Sequence, residues 1–272
     1  MKKIFFLFLF PITALAGVEN YDLGTRSASL GGASVSLSDL WSTSNNQAGL
    51  AFVKKFSAGA YYENRFLLKE LSLAGGAVAV PVKGGTFGLV LSNFGYSLYS
   101  ENKYGLSFAK AFGENFAAGV QLDYLTTKIG EGYGSKGLIA GEAGLIAKPV
   151  KNLTVGFHAF NISRAKITST EIYTERVPMI FRLGIDYKFS EKVFVAVETE
   201  KDIDYKPEFK VGIEYKLVPE FFLRAGVSTN PNLSSFGFGL NLKSVKLDVS
   251  TSFHSALGFT PSLGLAYEFA KK

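Results

Sequence analysis

The chain has no cysteine, one tryptophan (Trp41), two histidines (His158 and His254) and eight prolines among 272 residues. Without cysteine there can be no disulfide framework, no thiolate chemistry and no lipidated N-terminal cysteine. Two isolated histidines do not make a metal-ligand set, and no cofactor motif is present, so neither a metal nor a cofactor is expected. Beyond the N-terminal leader no apolar run approaches the roughly eighteen residues that a membrane-spanning helix needs. Amphipathic stretches of helical period are missing as well. The formal net charge is +6, but the basic residues stand singly rather than in clusters, which argues against a nucleic-acid groove. Helical membrane proteins and disulfide scaffolds are thereby excluded.

The leader itself reads as a signal peptide. Lys2 and Lys3 precede an apolar run from Ile4 to Ala14, and the small-x-small triplet Ala14-Leu15-Ala16 follows. That order predicts a secretory signal over residues 1–16, with Gly17 as the first mature residue.

What the chain has in quantity is phenylalanine (25), tyrosine (13) and glycine (29), with 47% hydrophobic residues overall. These residues alternate with polar ones. Phe209, Val211, Ile213 and Tyr215 interleave with Lys210, Gly212, Glu214 and Lys216, and Val245, Leu247, Val249 and Thr251 with Lys246, Asp248, Ser250 and Ser252. A period of two puts one set on each face of a strand. About fourteen segments of roughly ten residues show it, close to the length of a tilted membrane strand. They run approximately over 55–64, 70–82, 85–97, 103–113, 115–128, 137–149, 152–162, 179–190, 192–201, 207–217, 220–229, 234–243, 245–254 and 261–270. Tight turns such as Lys83-Gly84-Gly85 and Lys243-Ser244 alternate with longer connections, the longest from Ser163 to Pro178. Most prolines fall at segment ends, where a missing N–H costs no ladder bond. The expected fold is all-β: an antiparallel transmembrane β-barrel of about fourteen strands over residues 55–272. It would sit in a bacterial outer membrane among its lipids, with both termini on the periplasmic side. A β-sandwich shares the period of two but not this alternation of short and long connections.

The chain ends on Leu263, Leu265, Tyr267 and Phe269, similar to the C-terminal aromatic strand of outer-membrane proteins, though Ala270-Lys271-Lys272 follow. Residues 17–54 show no sustained alternation. They carry Leu23, Leu30, Val35, Leu37, Leu40, Trp41 and Leu50, too many apolar groups for a disordered tail, and are expected to pack as an insert inside the barrel.

The inward parity of the strands supplies candidate lumen charges: Arg182, Asp186, Lys188, Glu198, Glu200, Lys210, Glu214, Arg224, Lys246, Asp248 and Glu268. They suit either a salt-bridged lumen or a site for an anionic head group, with Arg182, Lys210 and Arg224 as its cations. Enzymatic readings have little to stand on. His254 and Ser255 invite comparison with barrel lipid hydrolases, but strand neighbours point to opposite faces, and Asp248 is about 20 Å from His254 along a strand. No catalytic residue is assigned. The Gly130–Gly137 stretch lacks the Gly-Lys-Ser/Thr order of a phosphate loop and reads as a hairpin loop.

Within the N-terminal segment, Gly24-Thr25-Arg26, Leu30-Gly31-Gly32-Ala33, Ser38-Asp39 and Asn46-Gln47-Ala48-Gly49-Leu50-Ala51 resemble the signature of PorV/PorQ-type barrels, which belong with the FadL-type long-chain fatty-acid transporters. The resemblance implies a fourteen-stranded barrel with an N-terminal hatch whose motif residues are Gly24, Arg26, Gly31, Gly32, Asp39, Asn46 and Gly49. The family's segment reads Asn-Pro-Ala-Gly, and Gln47 stands where that proline is usual, so its tight bend is not assured here. The resemblance implies one of two non-enzymatic roles: type IX secretion with exported proteins or secretion components as partners, or envelope transport of a hydrophobic ligand. The chain is shorter than typical members, so short outer loops are expected.

Overall fold

The computed structural model describes residues 20–131, 134–169 and 174–269; the expected signal peptide lies outside them. Fourteen antiparallel strands close into a barrel. In chain order they are β1 (Ser57–Asn64), β2 (Ser72–Val82), β3 (Gly85–Gly95), β4 (Tyr99–Phe112), β5 (Phe116–Ile129), β6 (Gly134–Ala147), β7 (Leu153–Phe160), β10 (Ile180–Lys188), β11 (Val193–Asp202), β12 (Glu208–Val218), β13 (Phe221–Ser228), β14 (Leu233–Leu242), β15 (Val245–His254) and β16 (Gly258–Glu268). Two short strands, β8 (Lys166–Ser169) and β9 (Thr174–Arg176), pair with each other inside the longest connection. Closure is made by β1 against β16, from Ser57 opposite Glu268 to Glu63 opposite Ser262. The tight turns gather at the end of the barrel where β1 begins and β16 stops; we call this the turn end, and the opposite rim the loop end.

The period of two sorts the side chains as expected. Leu106, Leu122, Leu183, Val211 and Leu263 are exposed on the outside, whereas Arg182, Glu198 and Lys210 are buried within. Soluble monomers rarely carry apolar patches beyond a few hundred Å², and here the apolar face runs round the whole circumference, so its solvent is lipid. Aromatic pairs mark both borders of that face. At the turn end they are Phe56 with Phe269 (4.7 Å between ring centroids), Phe112 with Phe116 (6.0 Å) and Tyr187 with Phe189 (4.8 Å). Phe253 with Phe259 (4.9 Å) and Phe157 with Phe181 (6.4 Å) lie toward the loop end. Such belts suit the interface between acyl chains and water.

Fourteen strands enclose more space than wall side chains can fill, and residues 20–53 occupy it. A helix α1 (Thr25–Ser29), a helix α2 (Ser42–Asn45) and a 3-10 helix (Gln47–Phe52) form this plug. Leu30, Val35, Ala48 and Leu50 are fully buried. The plug visits most of the wall: α1 lies against β13 to β16, Leu30 against Gly212 and Gly226, Val35 against Gly156 and Gly184, and the 3-10 helix against β3 to β6.

One stretch of wall is incompletely zipped. β6 pairs with β5 along its whole length, from Gly134 opposite Ile129 to Ala147 opposite Phe116. On its other side, among the described residues, it pairs with β7 only from Ala143 to Ala147. Toward the loop end of this seam, the Ile162 N–H donates to the Gly141 carbonyl at 3.0 Å. The chain then turns away at Asn161, whose buried side chain donates to the Val177 carbonyl (2.9 Å) and accepts from the Ala165 N–H (2.9 Å).

Candidate functional site

Among the described residues, buried charges line the lumen, and three groups of them tie the plug to the wall. In the first, Arg182 of β10 donates to Glu198 of β11 and to Asp22 of the plug, both at 2.7 Å. Lys210 of β12 meets Glu200 at 2.6 Å and Asp22 at 3.8 Å. The second Glu198 oxygen accepts the Ser34 and Val35 N–H groups at 2.7 and 2.8 Å. One wall carboxylate thus holds both an arginine and the plug backbone. That matters because a buried charge is tolerated only when it is paired and hydrogen-bonded.

The second group centres on Glu214. Arg26 of α1 reaches both its oxygens at 2.9 Å in a fork, and Arg224 donates to it at 2.6 Å while also meeting Asp248 at 2.5 Å. Asp39 lies 3.6 Å from Arg26 and accepts the Trp41 N–H at 2.9 Å. Burial pulls the Arg26 guanidinium down, but the Glu214 carboxylate, with Asp39 behind it, more than reverses this, so the net shift is upward and the charge is firmly held. Near the turn end, Lys246 meets Glu268 at 2.5 Å.

Parity arguments confined to the later strands miss the third group. Glu142 of β6 binds Lys103 of β4, accepts from the Gln47 amide at 2.6 Å and lies 2.9 Å from His158 Nε2. Lys103 also donates to Asn20 at 3.0 Å. Among the described residues Gln121 Oε1 and His158 Nδ1 are buried without a hydrogen-bond partner. The same alternation extended to β4, β5 and β6 would have found Lys103, Asp123 and Glu142. Asp22 lies in the non-periodic segment and left no such signal.

The motif residues of the N-terminal segment come together inside the barrel. Gly24 (φ 109°) faces Trp41 so closely that an added Cβ would lie 2.6 Å from the indole, and Gly31 (φ 70°) presses on the Val227 backbone. Gly32 (φ 83°) lies beside the Lys210 stem, and Gly49 leaves room for Ser42 and the Leu37 carbonyl. Asn46 caps the 3-10 helix through the Ala48 N–H (3.2 Å) and donates to the Val35 and Leu145 carbonyls at 2.6 and 3.2 Å. The bend that was in doubt forms with Gln47 in place of proline, and the Gln47 side chain gains the bond to Glu142.

Arg182, Lys210 and Arg224 are all committed to carboxylates, so these charges form the salt-bridged arrangement and the plug's docking points, whereas Lys188 is exposed at the turn end of β10. His254 Nδ1 accepts the Ala256 and Leu257 N–H groups at 3.1 and 3.2 Å, closing the β15–β16 loop, while Asp248 is held by Arg224. The lipid-hydrolase constellation is therefore not assembled.

Beside the seam the lumen is apolar. Leu125, Ala140, Phe160, Val177 and Ile180 form a buried cluster with Leu138 packed against it. Lys103 Nζ sits 5.1 Å from the centre of the Phe160 ring, joining this cluster to the Glu142 group. An apolar wall with a few polar groups at one side is the usual build of a small-molecule site.

No family model and no curated protein matches the sequence. Among solved structures, a Pseudomonas aeruginosa FadL homologue is 14% identical, with a TM-score of 0.68 over 94% of this chain and 100% of that one. The P. putida toluene transporter TodX (12% identity, TM-score 0.69) matches over 95% of this chain and all of its own. The Ralstonia pickettii toluene transporter TbuX (11%, 0.69) does so over 94% and 100%. The chain thus has the fold of FadL-type outer-membrane barrels, a closed fourteen-stranded cylinder with an N-terminal segment before its first strand.

Proposed function

We propose that this protein lets small hydrophobic molecules cross the outer membrane, and that they pass between bilayer and lumen at the β6–β7 seam. The carrying observation is the coincidence of three features at one place. Among the described residues the β6–β7 ladder stops at Ala143 and is followed by the Ile162–Gly141 bond, the lumen behind it is apolar, and the Glu142 group that holds the plug's Gln47 borders it. In this reading residues 17–54 are the hatch, the loop end faces outward, and both termini are periplasmic. The toluene transporters that share the fold make an apolar cargo the economical assignment.

The PorV/PorQ resemblance supports a second reading, a secretion-associated partner of exported proteins. Its difficulty is surface. The loop-end connections are short except that between β7 and β10, so little is offered to a protein cargo. Affinity purification distinguishes the two, since recovery with stoichiometric envelope or secreted proteins would favour secretion.

The transport reading is tested by stapling the seam. Gly141 has nothing near the position of an added Cβ and its carbonyl accepts the Ile162 N–H across the seam, so Gly141→Cys with Ile162→Cys is the pair to cross-link. With no native thiol present, the bond is unambiguous. Cells producing the oxidised variant should take up toluene several-fold more slowly than reduced ones, and equal rates would sink the seam as the route.

A further inference from the structure

Cations deeper in the lumen are matched. Arg26, Lys103, Arg182, Lys210 and Arg224 each meet a carboxylate. The turn end is different. The β6–β7 turn, Asn115 of the β4–β5 turn and Lys188 at the end of β10 border an open cavity of about 510 Å³. Backbone bonds hold its frame, from Lys148 N–H to the Asn115 carbonyl at 2.7 Å and from Lys188 N–H to the Asn152 carbonyl at 3.0 Å. Lys148, Lys151 and Lys188 line it together with Asn115, Asn152 and Thr154, and no lining residue is acidic. None of these lysines makes an ion pair among the described residues. Asp186, two residues back along β10, is engaged by Ser36 and Thr154 and also attracts Lys148 and Lys188 without closing to an ion pair with either.

Two of the lysines, Lys148 and Lys188, lie within electrostatic reach of each other. Lys148 Nζ sits 3.3 Å from the centre of the plug's Phe52 ring, which fixes its direction. Partial burial, and next the Lys188 ammonium, pull the Lys148 amine below its usual range. Like charges brought together in this way are relieved by an anion placed between them. Three ammonium groups and two amides offer more donors than one carboxylate can use, and lysine serves phosphate as a point charge. The cavity also lies at headgroup height. Phe112 and Phe116 flank Asn115, Tyr187 and Phe189 flank Lys188, and Val150 on its rim is 61% exposed.

We propose that this turn-end cavity binds a phosphate group, supplied either by an anionic phospholipid or by free phosphate. The site is separate from the seam and stands whether or not the barrel conducts hydrocarbons.

Amine-acylation footprinting with mass spectrometry tests it on the full-length mature barrel. One arm uses inorganic phosphate in zwitterionic detergent. The other uses phosphatidylcholine vesicles with and without phosphatidylglycerol. Lys148, Lys151 and Lys188 should be protected on the order of tenfold, while Lys83 and Lys243, in other turns of the same rim, stay unchanged. Protection in both arms assigns free phosphate; protection by phosphatidylglycerol alone assigns the lipid headgroup. Combined Lys148→Gln and Lys188→Gln should weaken the protecting anion at Lys151 about tenfold, and Lys83→Gln with Lys243→Gln should not. Equal protection of all five lysines, or none in either arm, overturns the site. The wild-type footprint decides this even where a variant does not fold.

Discussion

At the scale of single residues, glycine sets how closely the plug meets the wall. An added Cβ would lie 2.0 Å from Asn46 Oδ1 at Gly144, 2.2 Å from the Val35 carbonyl oxygen at Gly156, and 2.2 Å from the Gly31 nitrogen at Gly226. The neighbour at Gly156 and Gly226 is backbone, so it cannot swing aside. The high glycine content is thus a packing requirement at these places, where plug and wall touch main chain to main chain. Gly226→Ala should cost about 1–3 kcal/mol by overpacking. Gly141→Ala, in an equally regular strand with open space at its Cβ, should be neutral. Trp41, the single tryptophan, is buried in the plug with its ring centroid 5.9 Å from that of Tyr61, so its emission reports plug seating alone. Urea titration in lipid vesicles should show Gly226→Ala shifting the Trp41 transition to lower denaturant, and coincident curves for both variants would refute the packing account.

At the scale of elements, the strands and the plug obey different rules, and this decided what could be read in advance. A strand declares itself through its own period of two. Residues such as Phe209 to Lys216 therefore predicted β12 and its facing side chains without tertiary information. Boundaries slipped by a few residues where turns or tilted edges intervened: β4 begins at Tyr99 rather than near residue 103, and β6 at Gly134 rather than near 137. The plug has no such rhythm. Helix α1 is five residues long and α2 four, neither with a side-chain cap, and helices this short do not hold without outside contacts. Their order comes from Arg26, Ser34 and Val35 meeting carboxylates far away in sequence, which explains why Asp22 was invisible beforehand. Asn46 is the exception, a plug residue whose cap and two carbonyl contacts concentrate that order in one side chain. Asn46→Ala should lose the cap and strand two buried carbonyls, costing about 2–3 kcal/mol together. The expected signature is a red shift of Trp41 emission with strand circular dichroism unchanged. If the emission stays put, the plug is held by the ion pairs without help from this bend.

At the scale of the whole molecule, the wall is uneven in height. β4, β5 and β6 each have fourteen residues, whereas β7 and β13 have eight. About ten residues suffice to span the hydrocarbon at a normal barrel tilt, so the loop-end tips of β4 to β6 must stand clear of the bilayer if the turn-end aromatic pairs sit at its border. That geometry gives one molecule two chemically different ends. One is a rim of tight turns rich in lysine; the other is a raised half-wall beside the seam. Which end faces outward is a physical question, because short turns translocate least chain during assembly and suit the periplasmic side. The absence of cysteine makes the orientation directly measurable. Ser97→Cys, in the β3–β4 loop, should react with a membrane-impermeant maleimide on intact cells. Lys83→Cys, in the β2–β3 turn, should react only after the outer membrane is permeabilised. The reverse pattern would invert the barrel, moving the seam's outer half and the lysine-lined cavity to opposite leaflets from those assigned above. Labelling of both sites on intact cells would show instead that the chain had not been inserted as a closed wall.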